Sequence, residues 1–339
     1  MTPTRFAEIT DRYASLRIAL VGDFCLDRYL EIDPALAETS IETGLPVHNV
    51  VRVRSQPGGA GTILNNLSAL GVGVIHPVGF CGEDGEGYEL QRAIAQVRGV
   101  QGNLLVTSQR RTFTSCKPLV VAPCKPPVEL SRLDSKNWTP TPKAVEEALA
   151  TRIECNDERL HAIIVLDQVD LPDTGVVTTG MLAAIRGIAA TNPRVRILGD
   201  SRRGLRDWPA ITFKMNLAEL SALTGLPADA TSLANISGAA RELAKQNGRE
   251  VFVTLAERGI LGAAPNGEVE HVPCLPLRGE IDIVGAGDSV TANLTAALAA
   301  GATLREAIEL ANAAASVVIH QLGTTGTASV PQIRELLLP

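Results

Sequence analysis

The densest chemistry in the sequence is the run Asp282-Ile283-Val284-Gly285-Ala286-Gly287-Asp288, which leads directly into a helix-forming stretch. Small residues at 285–287 let the backbone turn sharply and approach a ligand closely. At a first helical turn the N–H groups of Ala286, Gly287 and Asp288 have no intrahelical acceptor. They point at whatever sits on the helix axis, where the dipole favours an anion, and a phosphate is the natural occupant. Asp288 is then the odd residue, because a carboxylate beside an anion hole repels a ground-state phosphate. Two readings account for it: a general base for a hydroxyl attacking phosphorus, or a helix cap. The run alone leaves both open.

A second glycine cluster, Pro57-Gly58-Gly59-Ala60-Gly61-Thr62, also opens an apolar helix, Ile63 to Gly71. Asn65 and Asn66 lie inside that helix, where Asn is disfavoured, so one of them is expected to reach a ligand or a neighbouring turn. Other chemistries are excluded. The chain has no Gly-Lys dipeptide, hence no Walker A loop. Gly22 is followed by Asp23-Phe24-Cys25-Leu26-Asp27, not by a dinucleotide fingerprint. There is no G-x-S-x-G elbow and no H-E-x-x-H. The five histidines, at 48, 76, 161, 271 and 320, lack metal-ligand spacing.

These residues need a frame to position them. Short apolar runs alternate with helical stretches. Arg17 to Val21, Val74 to Phe80, Ala162 to Leu166, Arg196 to Leu198 and Glu250 to Leu255 read as strands, several of them apolar on both faces. Helices are expected over 62–70, 88–97, 143–151, 179–190, 217–223, 233–246, 289–300, 303–319 and 332–338. Such alternation implies an α/β domain with a mostly parallel sheet between two helical layers. Segments 28–54 and 107–133 break the pattern and carry β-like runs. They are read as a small β lid; ordinary surface hairpins are the alternative. One domain over 1–339 is the expectation.

Composition fits. Of 339 residues, 45% are apolar and 20% charged, as in globular chains. The net charge of −6 argues against a nucleic-acid partner. Cys25, Cys81, Cys116, Cys124, Cys155 and Cys274 form no Cys-x-x-Cys pair and are expected as buried reduced thiols. The N-terminus is too charged for a signal peptide, and no apolar stretch is long enough to span a bilayer, so a cytoplasmic protein is expected with no membrane partner.

Taken together, the motifs resemble the PfkB, or ribokinase-like, carbohydrate kinases over nearly the whole chain. The resemblance is carried by Gly22 to Asp27, the Gly58-Gly59 turn and its helix, Asn216-Leu217-Ala218-Glu219, Val253 to Gly259, the 282–288 run and Ala311-Asn312-Ala313-Ala314. Within that family the chain is most similar to the kinase half of the bifunctional enzyme of ADP-heptose synthesis, a D-glycero-D-manno-heptose 7-phosphate kinase. GDFCLDRY (22–29), PGGAGTILNNLSALG (57–71), ELSRLD (129–134), GDSRRG (199–204) and LANAAASVVIHQLGTTG (310–326) carry that likeness. Two positions depart. Thr62 stands where the subgroup has a sugar-gripping Asn, and Ile283 where the family run has Thr.

The resemblance implies a ribokinase-like three-layer fold with a β lid, ATP and Mg²⁺ as donor pair, and a sugar or sugar phosphate as acceptor. It makes Asp288 the base and the amides of Gly285, Ala286 and Gly287 the anion hole. Asp27, Gly58, Gly59, Thr62, Asn66 and Arg132 would meet the acceptor, with Arg111 or Lys117 beside Arg132 if a second phosphate is present. Asn216 and Glu219 would orient the water shell of Mg²⁺; from the residues alone the favoured reading is a capping box. Thr254, Glu257, Gly259 and Asn312 would lie along the nucleotide. Arg202 and Arg203 would meet a phosphate. Asp282 and Ile283 would contribute to a monovalent-cation site, K⁺ by the same likeness. A homodimer through the lid is expected. A nucleoside kinase on this fold, or a catalytically silent sugar- or nucleotide-binding regulator, are the competing expectations.

Overall fold

The computed structural model describes residues 1–123, 126–154, 160–227, 229 and 232–338. Cys124 and Cys155 lie outside them.

The run Ala162–Asp167 shows why the chain layers as it does. Every residue in it is buried, and alternate side chains enter different cores. Ile164 and Leu166 join one apolar cluster, Ile163 and Val165 the other. Arg17–Gly22 repeats the pattern, with Ile18 and Leu20 on one side and Ala19 and Val21 on the other. A strand buried on both faces needs helices on both faces. One layer holds Pro3–Thr10, Ala60–Ala69, Gly85–Ala95, Ala286–Ala299, Leu304–Val318 and Val330–Leu337; the other holds Lys143–Glu154, Thr179–Thr191, Leu217–Thr224 and Leu233–Asn247.

The central sheet has eight strands. From one edge they are Val269–Val272, Ile260–Ala263, Val251–Thr254, Thr212–Asn216, Arg196–Ser201, Ala162–Asp167, Arg17–Gly22 and Val74–Val78. Six run parallel. The alternation read from sequence fails at one edge, where Ile260–Ala263 and Val269–Val272 pair antiparallel with what precedes them. Gly259, at φ +89°, makes that turn possible: a Cβ there would fall 2.1 Å from the Val272 carbonyl oxygen. The expected strand 74–80 ends at Val78. Phe80–Gly82 pairs instead with Leu105–Thr107 in a separate ribbon.

A second sheet lies over the C-terminal ends of the parallel strands. It contains Phe24–Ile32, Val50–Gly59, Phe113–Val120, Val128–Glu129 and Leu133–Ser135. It is mixed: Phe24–Ile32 pairs antiparallel with Val50–Gly59 and parallel with Phe113–Val120. Its strands begin closer to the core than 28–54 and 107–133, because Phe24 already pairs with Gly59. No helix among the described residues is long and apolar enough to cross a membrane.

Candidate active site

Strand ends, the glycine turn and the lid converge on the start of the helix Ala286–Ala299. Gly285 caps that helix at φ +82°. The turn before it is closed by Ala286 N–H, which donates to the Ile283 carbonyl at 3.2 Å. This corrects the expected anion hole: the Ala286 amide is committed within the protein. The amides of Gly285, Gly287 and Asp288 donate to no backbone carbonyl among the described residues. Asp288 itself is half-buried in the first turn. Burial, then the neighbouring charge of Asp200, pushes its carboxyl up to about 7, against the pull of Lys214 and Arg202.

Two cavities meet at this helix start. The first, about 360 Å³, is lined by Asp23, Asp27, Gly59, Thr62, Lys117 and Arg132, and by Gly285 and Asp288 themselves. The second, about 660 Å³, is lined by Asn216, Thr254, Glu257, Gly259 and Asn312, and by Ala286 and Gly287. Its remaining wall is mostly aliphatic, with Leu255, Ile260, Leu275, Leu277 and Ile281 among its members.

In the first cavity, Asp27 is buried, and burial raises its carboxyl while Lys117, 4.0 Å away, opposes. Its carboxylate lies over the backbone of Gly58: a Cβ there would sit 2.6 Å from Asp27 Oδ2. Gly59 is required for a similar reason, a Cβ falling 2.4 Å from the Asp23 carbonyl oxygen. Thr62 is buried, its Cγ2 3.5 Å from where a Cβ would stand on Gly285. Asn66 does not line the cavity. Its Nδ2 donates to the carbonyls of Thr62 (3.0 Å) and Gly326 (3.3 Å), joining the turn to a C-terminal loop. Gln56 of the lid does likewise, donating to Thr325 Oγ1 at 2.9 Å. Arg132 grips Asp134 through Nε at 3.0 Å and through Nη2. Arg202 lines the cavity, whereas Arg203 turns inward to the buried Asp167 at 2.7 Å. Arg111 is not on the wall; its backbone is held by Asn137.

Around the second cavity, Asn216 and Glu219 form the capping box. Asn216 Oδ1 accepts from Glu219 N–H at 2.9 Å and Glu219 Oε2 from Asn216 N–H at 2.7 Å. Each bond uses one side-chain atom, leaving Asn216 Nδ2 and Glu219 Oε1 for other partners. Burial raises the Glu219 carboxyl. Asn312 spends its amide on the Val272 and Pro273 carbonyls, at 2.8 and 3.4 Å, and so braces the wall. Thr254 Oγ1 is 3.4 Å from the Met215 carbonyl. Asp282 accepts from Val284 N–H at 3.0 Å and Gly323 N–H at 3.3 Å, while Ile283 projects its side chain outward. Asp282 thus ties the 282–288 run to the loop at Gly323. Among the described residues, no cluster of three or more His, Cys, Asp or Glu could hold a metal directly.

Two residues under the helix start were missed in the sequence. Lys214 is buried and binds Asp200 at 2.8 Å; Thr291, one turn below Asp288, donates to the same Asp200 oxygen at 2.8 Å. A Cβ on Gly287 would lie 3.3 Å from Lys214 Nζ. The visible signal was a lysine inside the apolar strand TFKMN, since lysine is almost never fully buried unless paired. Of the four described cysteines, all free, only Cys81 is buried as expected; Cys25 and Cys116 are half-buried, and Cys274 is exposed, donating from Sγ to the Glu257 carbonyl.

The fold and site define a three-layer α/β enzyme with a β lid and two cavities sharing one helix start. A profile of the pfkB family carbohydrate kinases matches residues 190–331. Bifunctional protein HldE of Azorhizobium caulinodans is 32% identical over 311 residues, 91% of this chain and 61% of that protein. HldE of Hyphomonas neptunium is 30% identical over 337 residues, 98% and 66% respectively. The chain therefore spans less than two thirds of the length of these curated relatives. In structure it is similar to ribokinase of Arabidopsis thaliana, solved with ribose and ATP (TM-score 0.68, 20% identity, covering 96% of this chain and 99% of that one). It is also similar to phosphofructokinase-2 of Escherichia coli, solved with substrates and products (TM-score 0.71, 20% identity, 95% and 98%). By that profile and these relatives the chain is similar to the PfkB family of carbohydrate kinases.

Proposed function

We propose that the chain transfers the γ-phosphoryl group of ATP to a hydroxyl of a sugar phosphate, in the manner of a heptose-7-phosphate kinase. The observation that carries this reading is the meeting of two cavities at one helix start. Asp288 and Gly285 face the first, Gly287 and Ala286 the second. An acceptor hydroxyl in the first cavity is placed beside a base. A phosphoryl group arriving from the second is placed beside unpaired amides.

Asp288 takes the hydroxyl proton, and a carboxyl held near 7 is matched to that task at neutral pH. The Gly285, Gly287 and Asp288 amides stabilise charge on the group in transit, and Lys214 adds a fixed positive charge below them. Asp27 accepts a hydrogen bond from an acceptor hydroxyl over the bare backbone of Gly58. Lys117, Arg132, Lys136 and Arg202 line the acceptor cavity beside five carboxylates, and we read these cations as the groups that meet a phosphate already carried by the acceptor. The apolar wall of the second cavity suits a purine, with Asn312 bracing it. Mg²⁺, when bound with ATP, neutralises the phosphates, and Asn216 Nδ2 and Glu219 Oε1 are the groups left to orient its waters.

The lid leaves Val51 and Val53 of its sheet exposed, and Ile41 and Leu45 in the loop beside it, which supports pairing of two copies through the lid; sedimentation as a monomer at micromolar concentration would discard it. The main reading is tested by ADP release from ATP with heptose 7-phosphate, fructose 6-phosphate, ribose and adenosine as acceptors. Turnover is expected with a sugar phosphate. Turnover with adenosine alone would make it a nucleoside kinase, and binding without ADP release a regulator.

A further inference from the structure

The acceptor cavity has a mouth that the reading above does not use. Trp138 lines it with 68% of its surface exposed, and Leu171 stands on the same wall at 42%. Scattered exposed apolar residues need no explanation, but these two are held in place. Lys136 Nζ binds Asp170 Oδ2 at 2.7 Å, clamping the segment before Trp138 to the loop that carries Leu171. Asn137 fixes the same segment from the other side: its Nδ2 donates to the Arg111 carbonyl at 2.9 Å, and its Oδ1 accepts from Arg111 N–H at 3.1 Å. The residues flanking the indole are thus pinned on both sides. The indole N–H donates to no protein group among the described residues.

We propose that Trp138 and Leu171 form an acceptor platform, on which the C–H face of the sugar ring stacks while its hydroxyl edge faces Asp27 and Asp288. The negative face of an indole attracts polarised C–H bonds, and the ring supplies contact area at little entropic cost because its segment is already ordered. Lys136, beside the platform, faces the edge of the ring that carries the acceptor's own phosphate. The platform distinguishes pyranose- or furanose-sized acceptors from short open-chain ones. It deepens the kinase reading and rests on it for the substrate class.

The probe is heptose 7-phosphate, with fructose 6-phosphate as a second acceptor. Trp138 and Trp208 are the two tryptophans, so the difference between wild-type emission and that of Trp138→Phe isolates the indole at 138 without disturbing Trp208. Saturating acceptor, without nucleotide, is expected to quench or shift that difference signal. Trp138→Ala is expected to raise the acceptor KM about tenfold, with the ATP KM moved less than about twofold and Trp138→Phe recovering most of the loss. Turnover with an unchanged acceptor KM in Trp138→Ala overturns the platform and spares the kinase reading. A shifted emission without turnover keeps the platform and sinks the kinase reading. Silence in both measurements sinks both.

Discussion

The two cavities that share the start of helix Ala286–Ala299 are built on opposite principles. The acceptor side carries Lys117, Arg132, Lys136 and Arg202 among Asp23, Asp27, Asp134, Asp170 and Asp288. Most of these charges are already paired, Lys136 with Asp170 and Arg132 with Asp134. The donor side is mostly aliphatic, and two of its polar side chains, Asn216 and Asn312, are engaged in holding backbone. A charged, cross-linked wall orients its ligand by direction and sign. An aliphatic wall recognises shape and excludes water. The selective half of the reaction is therefore expected on the acceptor side, with the donor side supplying affinity.

The sharpest break of that comparison is at the shared boundary. Asp288→Asn is expected to lower kcat by roughly 10²–10⁴ while acceptor binding, followed by calorimetry, persists; a mutant with wild-type turnover would remove the base. The same substitution tests the raised carboxyl. Because the folded-state value, about 7, lies above the ordinary one, the folded form binds the extra proton between pH 4 and 7, and stability falls across that window as pH rises. Asp288→Asn should thus melt higher than wild type at pH 8, the gap closing by pH 4. In kinetics, kcat/KM should fall below an apparent pKa near 7. A flat profile from pH 5 to 8 would contradict the assignment.

A smaller effect is expected one layer out on the acceptor side. Gly58→Ala places a methyl 2.6 Å from Asp27 Oδ2 and should raise the acceptor KM on the order of tenfold, with the ATP KM steady. If both constants rise together, the two sides are less separate than their walls suggest. On the donor side, Glu219→Gln preserves the cap, because the amide oxygen can still accept from Asn216 N–H. It should shift the Mg²⁺ titration midpoint upward severalfold, and an unchanged midpoint would leave the pair with capping alone. Arg132→Met should be mildest, raising the acceptor KM about two- to threefold, since the guanidinium is already held by Asp134 and half-exposed.

What the sequence could reveal differs between the same two regions. Buried parallel strands announce themselves as unbroken apolar runs, and the glycine turns before Ala60 and Ala286 are visible as composition. The antiparallel edge, Ile260–Ala263 and Val269–Val272, was hidden because its strands are short and bounded by ordinary turn residues. The commitment of the Ala286 amide to Ile283 could not be read from GAGD, since it depends on Gly285 adopting φ +82°. Asn66 looked like a ligand-facing residue and instead fastens Gly326, a contact 260 positions away. Lys214 and Asp200, 14 residues apart, become partners only because their strands are sheet neighbours. Long-range pairings of that kind leave no local pattern.

Asp23 joins stretches that are remote in the chain. Its carbonyl accepts from Ala60 N–H at 3.0 Å, and its carboxylate from Gln168 N–H at 2.9 Å and Val176 N–H at 2.7 Å. The first bond secures the glycine turn; the other two secure the loop that bears Asp170 and Leu171. Neither stretch can breathe without loosening the knot that fastens the other. The protons on residues 60, 168 and 176 are therefore expected to trade with heavy water at one common rate, as parts of a single cooperative unit.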